Sequence, residues 1–211
     1  MTVSATRSEL LARRARIALA VQGRDLLSEK RAALMREFNR LGASVLEAMR
    51  ELERGATDAD RALADAFVSD GHERVRSATF AAGAEIPVTL RTRNVAGVPI
   101  VEVAHEAVTR PRGGRGYSLA GTSAHVDDVA ERFEAVLTGL LDLAALELSL
   151  RRLADEITRT TRRVNALEHV VVPRLAEERD FIAFVLDERE AEGRVRLLRA
   201  RGKAAGERRA A

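Results

Sequence analysis

The sequence of 211 residues contains no cysteine and no tryptophan, and it has only one tyrosine and six phenylalanines. The absence of cysteine excludes disulfide bonds, thiol nucleophiles and thiolate metal ligands. Because only 3% of the residues are aromatic, the chain lacks the large side chains that usually fill a globular core of this size. Its abundance of Ala, Leu, Glu and Arg is typical of long helices or coiled coils.

Long apolar runs are missing as well. No stretch approaches the roughly 18 apolar residues that a membrane-spanning helix needs. The N-terminus also lacks the charged and then apolar layout of a signal peptide. We therefore expect a cytoplasmic protein.

The net charge is only +3, but it is unevenly distributed along the chain. Residues 1–50 and residues 191–211 each carry a net charge of +5. In contrast, residues 51–80 carry −3 and residues 123–160 carry −4. Both ends of the chain are therefore basic, and the interior is acidic.

A first long helix is predicted over residues 1–80, which contain no proline. Thr6 and Glu9 have the spacing of a capping box at its start. The apolar residues then recur every three or four positions, which is the period of one helix face. This stripe consists of Leu34, Phe38, Leu41, Val45, Met49, Leu52, Ala56, Ala59, Leu63 and Phe67.

A second long helix is predicted over residues 123–200. Thr122 or Ser123 can cap it, and its apolar stripe runs from Val129 to Val185. The stripe crosses Pro173 in phase. This favours a helix that continues and bends near Pro173 over one that ends there, although proline removes a helical hydrogen bond. The last residues, 201–211, are predicted to form a basic flexible tail.

The insert between the helices, residues 81–122, contains three of the four prolines and the Gly/Arg loop "RPRGGRG". The segment "IPVTLRTRNVAGVPIVEVAHE" alternates apolar and polar residues on both sides of "NVAG", which predicts a short β-hairpin. Neither long helix can bury its apolar stripe alone. The predicted fold is therefore mainly α, a long antiparallel two-helix coiled-coil hairpin with a small β-hairpin-containing insert between the helices.

The sequence shows no pattern of catalytic, cofactor-binding or metal-binding residues. The histidines His72, His105, His125 and His169 stand singly, without metal-ligand spacing. The glycines of "RGGRG" do not form a P-loop, and no serine lies in a nucleophile elbow. A sequence pI near 10.1 suggests a nucleic-acid binder, but the loop arginines lack an aromatic stacking platform and are expected to be solvated. We predict no enzyme activity, no cofactor and no nucleic-acid partner.

Three segments resemble the D subunit of V/A-type rotary ATPases and ATP synthases. The first is "TRSELLARRARIALAVQGRDLLSEKRAALMREF", with Gly23, the Leu26–Leu27 pair and the Lys30–Arg31 pair. The second is "RNVAGVPI" in the insert. The third and most specific is "RRVNALEHVVVPRL", followed downstream by "LDERE". The family commonly has proline before its opening Thr-Arg, where this chain has Ala5.

The resemblance implies a central rotor shaft that carries torque between the catalytic A/B ring and the ion-translocating membrane rotor. The implied partners are the catalytic A and B subunits, the small F subunit and the rotor-socket subunit. It implies a non-catalytic subunit that is peripheral to the membrane and meets it only through the complex. The alternative function is a stand-alone cytoplasmic coiled-coil scaffold or adaptor.

If the chain is such a shaft, its basic end is expected to face the A/B ring. We predict subunit-interface roles for six arginines at the two ends of the sequence, and a helix bend at Pro173. The six are Arg7, Arg13, Arg14, Arg16, Arg194 and Arg196.

Overall fold

The computed structural model of the chain describes residues 4–81, 86–105, 108–118 and 122–210. Within these residues the chain is mainly α, with one two-stranded sheet between long helices in the sequence, and the predicted fold class is confirmed. In chain order the elements are α1 (Arg7–Asp70), α2 (His72–Ala81), β1 (Val88–Val95), β2 (Val98–His105), a 3-10 turn (Arg112–Gly114), α3 (Ala124–Ala166), a π-helix (Leu167–Val171) and α4 (Val172–Ala210).

The chain divides into two compact units. The terminal unit combines Met1–Arg31 with Thr158–Ala211, and the central unit is Ala32–Ile157. The predicted β-hairpin and the insert lie in the central unit. All of the predicted site residues lie in the terminal unit.

The start of α1 follows the predicted cap. The Glu9 amide donates a hydrogen bond to the Thr6 hydroxyl oxygen at 3.2 Å, and the Leu10 amide donates to the Thr6 carbonyl at 3.0 Å. These bonds satisfy amides that the first helical turn would otherwise leave without a partner.

The structure differs from the single helix predicted over residues 1–80, because α1 ends at Asp70 and α2 begins at His72. Gly71 between them has a φ of 83°, a left-handed conformation that glycine adopts without steric cost. Its amide still donates to the Phe67 carbonyl at 3.1 Å, in the way that helix C-termini are commonly closed. Asp70 also accepts a hydrogen bond from the Ser123 hydroxyl just before α3. The helix therefore breaks at this glycine.

In the central unit, the second half of α1 pairs with α3 in antiparallel fashion. Leu34 and Leu41 pack with Leu153, and further along α1 Leu52 lies against Gly139. A second apolar cluster brings α2 and the start of α3 together around Ala66, Val75, Ala78 and Val126. These contacts bury much of the stripe that the sequence predicted.

In the terminal unit, the first part of α1 runs antiparallel to α4. Arg7 pairs with Glu190, and Arg13 pairs with Glu178 at 3.2 Å. The Arg189 side chain also donates to the Ala5 carbonyl at 3.0 Å. Two helical segments that are distant in sequence are thus joined by charged contacts.

The β-hairpin has the predicted position. Its register pairs Val95 with Val98 next to the turn and Val88 with His105 at the other end. The two turn residues, Ala96 and Gly97, have φ values of 51° and 87°, as a type I′ turn requires. The Asn94 side-chain oxygen accepts the Gly97 amide at 2.8 Å and holds the turn.

Strand β2 lies between β1 and helix α3. Val98 and Ile100 enter the apolar core with Leu153. The hydroxyl of Ser149, which is buried, contacts the Val101 backbone twice: it accepts from the amide at 2.9 Å and donates to the carbonyl at 3.0 Å. One serine therefore anchors the strand to the helix.

Replacing Ser149 with Ala is expected to lower the free energy of unfolding by about 1–3 kcal/mol, because the Val101 amide and carbonyl would remain buried without partners. Urea unfolding followed by circular dichroism measures the change. Ser44→Ala is the control, since the Ser44 hydroxyl bonds the Arg40 carbonyl on the exposed surface of α1. Equal unfolding midpoints for the two variants would contradict the anchoring role of Ser149.

Helix α4 extends to Ala210, so the backbone from residue 201 to Ala210 continues the helix instead of forming the separate tail that the sequence predicted. Among the described residues, no helix is both long enough and apolar enough to cross a membrane.

Candidate functional site

The two units carry opposite charge. The terminal unit has twenty Lys or Arg residues against twelve Asp or Glu residues, a net charge of +8, and the central unit has fifteen against twenty, a net charge of −5. The charge asymmetry along the sequence therefore becomes a difference between two compact units. A basic unit attracts acidic partner surfaces and accelerates their association.

Two of the predicted arginines are exposed cations. Arg14 and Arg16 lie on the surface of α1, and no ion pair holds either of them in the part of the chain that the structure describes. Because neither guanidinium is engaged in the fold, both are available to a partner.

Arg13 has a different environment from its neighbours. Its side chain is largely buried and forms ion pairs with Glu9 at 2.9 Å and with Glu178 at 3.2 Å. Its Nε atom is buried without a hydrogen-bond partner among the described residues. The contacts of Arg13 therefore join α1 to α4 within the terminal unit.

The other predicted arginines lie on the surface near acidic residues. Arg7 donates to Glu190, and this hydrogen bond holds the pKa of Glu190 below its ordinary value, with a smaller contribution from the charge of Arg194. Arg196 pairs with Glu192 one turn away at 3.1 Å. Exposed pairs of this kind contribute little to stability and leave the cations accessible to other anions.

The terminal unit also exposes large apolar side chains, which the sequence pattern did not predict. On α1, Leu11, Leu19 and Leu26 are 64%, 69% and 59% exposed, and spacings of eight and seven residues place them on one helix face. On α4, the exposed set is Phe181, Phe184, Val195, Leu197 and Leu198. The adjacent Ile182 is fully buried, so α4 is apolar on more than one face. Several large apolar side chains exposed along one unit, beside positive charge, are typical of a protein interface.

The helix continues through Pro173, as the phase of the stripe predicted. The chain passes from α3 into a π-helix at Leu167–Val171 and then directly into α4, with Val172 in the helical region at φ −64° and ψ −48°. The Val172 amide donates to the Leu167 carbonyl, five residues back. The π-helix thus lies immediately before the proline, where a regular helix would lose a donor. The bend at Pro173 stays a prediction.

Replacing Pro173 with Ala is expected to raise the free energy of unfolding of the isolated chain by up to about 3 kcal/mol, because it restores a helical donor and removes the ring. Denaturant unfolding measures this change. Val170→Ala is the control, since it trims an exposed side chain in the same segment and keeps every amide. An unchanged or lowered stability for Pro173→Ala would show that the π-helix already offsets the cost of the proline.

A buried polar cluster lies in the central unit, where the Gly/Arg loop meets α3. Arg115 is only 3% exposed and bonds both carboxylate oxygens of Glu134, at 3.1 and 2.9 Å. It also contacts Asp127, whose carboxylate accepts from the Tyr117 hydroxyl at 2.6 Å. A bidentate pair of this type fixes geometry as well as charge. The prediction that the loop arginines are solvated is therefore wrong for Arg115.

In this cluster the Arg115 guanidinium lies between two carboxylates, those of Glu134 and Asp127. Burial alone would raise the pKa of Glu134, but hydrogen bonds from the Arg115 side chain and the Arg110 amide outweigh it, so the pKa lies below its ordinary value. Burial, together with the hydrogen bond to Asp127, raises the pKa of Tyr117. The hydrogen bonds from Arg115 and Arg110 therefore keep the Glu134 carboxylate ionised and paired. They hold the loop on α3 and leave Glu134 unsuited to proton transfer near neutral pH.

An open cavity of about 410 Å³ adjoins the cluster. Leu63, Val75, Val129 and Phe133 are among its apolar walls, and the paired Glu134 is at its edge. Among the described residues, no group of three or more His, Asp or Glu side chains could hold a metal ion. The helical fold and the exposed apolar side chains beside positive charge on the terminal unit define the class of helical interaction subunits.

Comparison with known proteins gives the family. A family profile described as the D subunit of ATP synthase matches residues 9–202. The chain is 40% identical over 199 residues to the A-type ATP synthase D subunit of Thermococcus kodakarensis, covering 94% of this chain and 93% of that protein. It is 36% identical over 202 residues to the A-type ATP synthase D subunit of Methanoregula boonei, covering 95% and 97%. The chain belongs to the family of ATP synthase D subunits.

Proposed function

We propose that this chain is the central shaft of a V/A-type rotary ATP synthase or ATPase, carrying torque between the catalytic A/B ring and the ion-translocating membrane rotor. Family membership supports the role of a subunit in such a complex. The role as a rotor goes beyond family membership. The observation that carries it is the basic and apolar surface of the terminal unit.

In this proposal the terminal unit contacts the catalytic A and B subunits. Its exposed apolar side chains on α1 and α4 supply area that is removed from water on assembly. Arg14, Arg16 and Arg194 supply positive charge that orients the unit toward acidic surfaces. The two helices carry different side chains, so the shaft presents a different face to each catalytic interface and favours a different state of each.

The central unit meets the small F subunit and the rotor-socket subunit in this proposal. Its acidic charge differs from that of the terminal unit, so the two units select different partners. The chain itself performs no bond chemistry, and it reaches the membrane only through the complex.

Affinity purification of the tagged chain from its own host tests the assembly. We expect recovery of the A, B and F subunits together with the tagged chain, identified by mass spectrometry. A stand-alone scaffold would instead be recovered without these subunits under gentle lysis. That result would remove the support for a shaft.

A further inference from the structure

The two long edges of the β-hairpin are not equivalent. In a two-residue hairpin, the pair next to the turn, Val95 and Val98, exchanges hydrogen bonds, and bonded pairs then alternate with non-bonded pairs along the ladder. The backbone groups of the non-bonded residues point away from the hairpin. On β1 these residues include Leu90, Thr92 and Asn94, and on β2 they include Pro99 and Val101.

The outer edge of β2 is already satisfied by α3. The Val101 amide and carbonyl both bond the Ser149 hydroxyl. Pro99 has no amide hydrogen, and its carbonyl accepts from Arg152 at 3.1 Å. These contacts independently support the alternation of bonded and non-bonded pairs, because Pro99 and Val101 are the β2 residues whose backbone groups should point away from β1.

The outer edge of β1 has no such cover. Every residue from Val88 to Asn94 is exposed, and no hydrogen bond to the backbone of Leu90, Thr92 or Asn94 comes from the part of the chain that the structure describes, apart from the hairpin itself. An uncovered strand edge is a template for pairing with another strand. The Leu90 side chain, which is 64% exposed, offers apolar contact area beside this edge.

The charge of β1 selects the kind of strand that fits. The strand contains Arg91 and Arg93 and no acidic residue. Arg93 is within 3.4 Å of Glu37 and of Glu102, but its side chain is still half exposed. Two arginines at alternate positions share one face of the sheet, so acidic side chains at alternate positions of an added strand would lie beside them.

A second copy of this chain does not fit the middle of the same edge. Antiparallel pairing of two β1 strands centred on Thr92 would place Arg91 of each copy opposite Arg93 of the other. Pairing centred on either arginine would place that residue opposite itself. Like charges directly opposite each other destabilise a strand pair. The occupant is therefore a strand of different sequence.

We propose that the outer edge of β1 receives an extended strand from another polypeptide, with acidic side chains at alternate positions, and extends the two-stranded sheet to three strands. The added strand bonds the outward backbone groups of Leu90, Thr92 and Asn94, and its acids pair with Arg91 and Arg93. This proposal rests on assembly with other subunits of the proposed complex, but not on rotation.

Hydrogen exchange with residue resolution tests the backbone contact, comparing the free full-length chain with the purified complex. We expect the Leu90, Thr92 and Asn94 amides to exchange at least tenfold more slowly in the complex. The Arg91 and Arg93 amides, which are already bonded to β2, serve as internal controls and should change much less. Unchanged exchange of the outward amides in an assembled complex would overturn this proposal alone and leave the subunit assignment intact.

Two matched pairs of variants test the edge and its charge. Thr92→Pro removes an outward amide without removing a bond to β2, and it is expected to weaken association of the chain with the complex at least tenfold. Thr92→Ala keeps the amide and should associate normally. Arg91→Gln should weaken association with the complex and Arg91→Lys should not. Equal binding of Thr92→Pro and Thr92→Ala, or a dimer of the chain formed through β1, would contradict the proposal.

Discussion

An Arg115→Ala variant is expected to lose about 3–5 kcal/mol of the free energy of unfolding, because it leaves the Glu134 carboxylate partly buried without its cation. Arg115 is itself buried and bonds both oxygens of Glu134, so surrounding water cannot replace it without rearrangement of the loop. Urea unfolding followed by circular dichroism measures the loss as a lower midpoint. The loop residues 108–118 should also show faster hydrogen exchange.

The control for this variant is Arg132→Ala, which removes an exposed ion pair with Asp128 from the same helix. It should change the midpoint little, since exposed pairs contribute little to stability. An Arg115→Ala midpoint as high as that of Arg132→Ala would contradict the account of the cluster.

Acid unfolding gives a second measure of the same variant. The pKa of Glu134 in the folded protein lies below its ordinary value, so its ion pair stabilises the fold above an ordinary pKa of 4.5 and is lost as the pH falls below it. In Arg115→Ala the burial of Glu134 persists without the cation, which favours protonation. The stability lost in the variant should therefore be largest near neutral pH and should shrink as the pH falls below 4.5, where the wild type also loses the ion pair.

Charge reversal of Arg14, Arg16 and Arg194 to Glu is expected to weaken assembly with the A and B subunits at least tenfold and to impair ATP hydrolysis coupled to ion transport. These three arginines are exposed, and Arg14 and Arg16 have no ion pair in the described chain, so their replacement should leave the fold intact. Replacing three positive charges with three negative charges lowers the net charge of the terminal unit by six and reverses its local attraction for acidic surfaces. Co-purification and coupled ATPase assays measure the effect.

The matched control for this prediction replaces the same three residues with Lys, which keeps the charge. It should assemble and couple normally if attraction between charges is the cause. The defect of the Glu variant should shrink at raised salt as charges are screened. Intact assembly and coupling of the Glu variant would refute the role of the basic end.

Local patterns were sufficient to predict much of the fold. The stripe from Leu34 to Phe67 has the period of one helix face, and Leu34 and Leu41 are buried against Leu153 of α3 in the structure. The segment "NVAG" between alternating segments predicted the β-hairpin, because Asn and Gly are frequent in turns. The positive φ of Ala96 was not predictable, since alanine rarely adopts it. The phase of the apolar stripe also predicted that the helix continues through Pro173. The rule that proline ends a helix would have predicted a stop there.

Features that depend on long-range contacts were not predictable from local patterns. Arg115 appeared as one more arginine in a Gly-rich loop, and only its proximity to Glu134 on α3 makes it a buried anchor. Gly71 itself indicated the helix break, since a lone glycine before a polar run can close a helix. The regular apolar stripe that precedes it favoured a continuous helix instead. The exposed Phe181 and Phe184 adjoin the buried stripe, and only a burial map separates them from it.

The measurement that tests the central claim most directly is observation of rotation in single molecules. The chain has no cysteine, so a Ser77→Cys variant provides one exposed attachment site on α2 for a bead. With the catalytic subunits fixed to a surface, we expect the bead to rotate in one direction when ATP is added. Steady ATP hydrolysis by an assembled complex whose bead does not rotate would contradict the account.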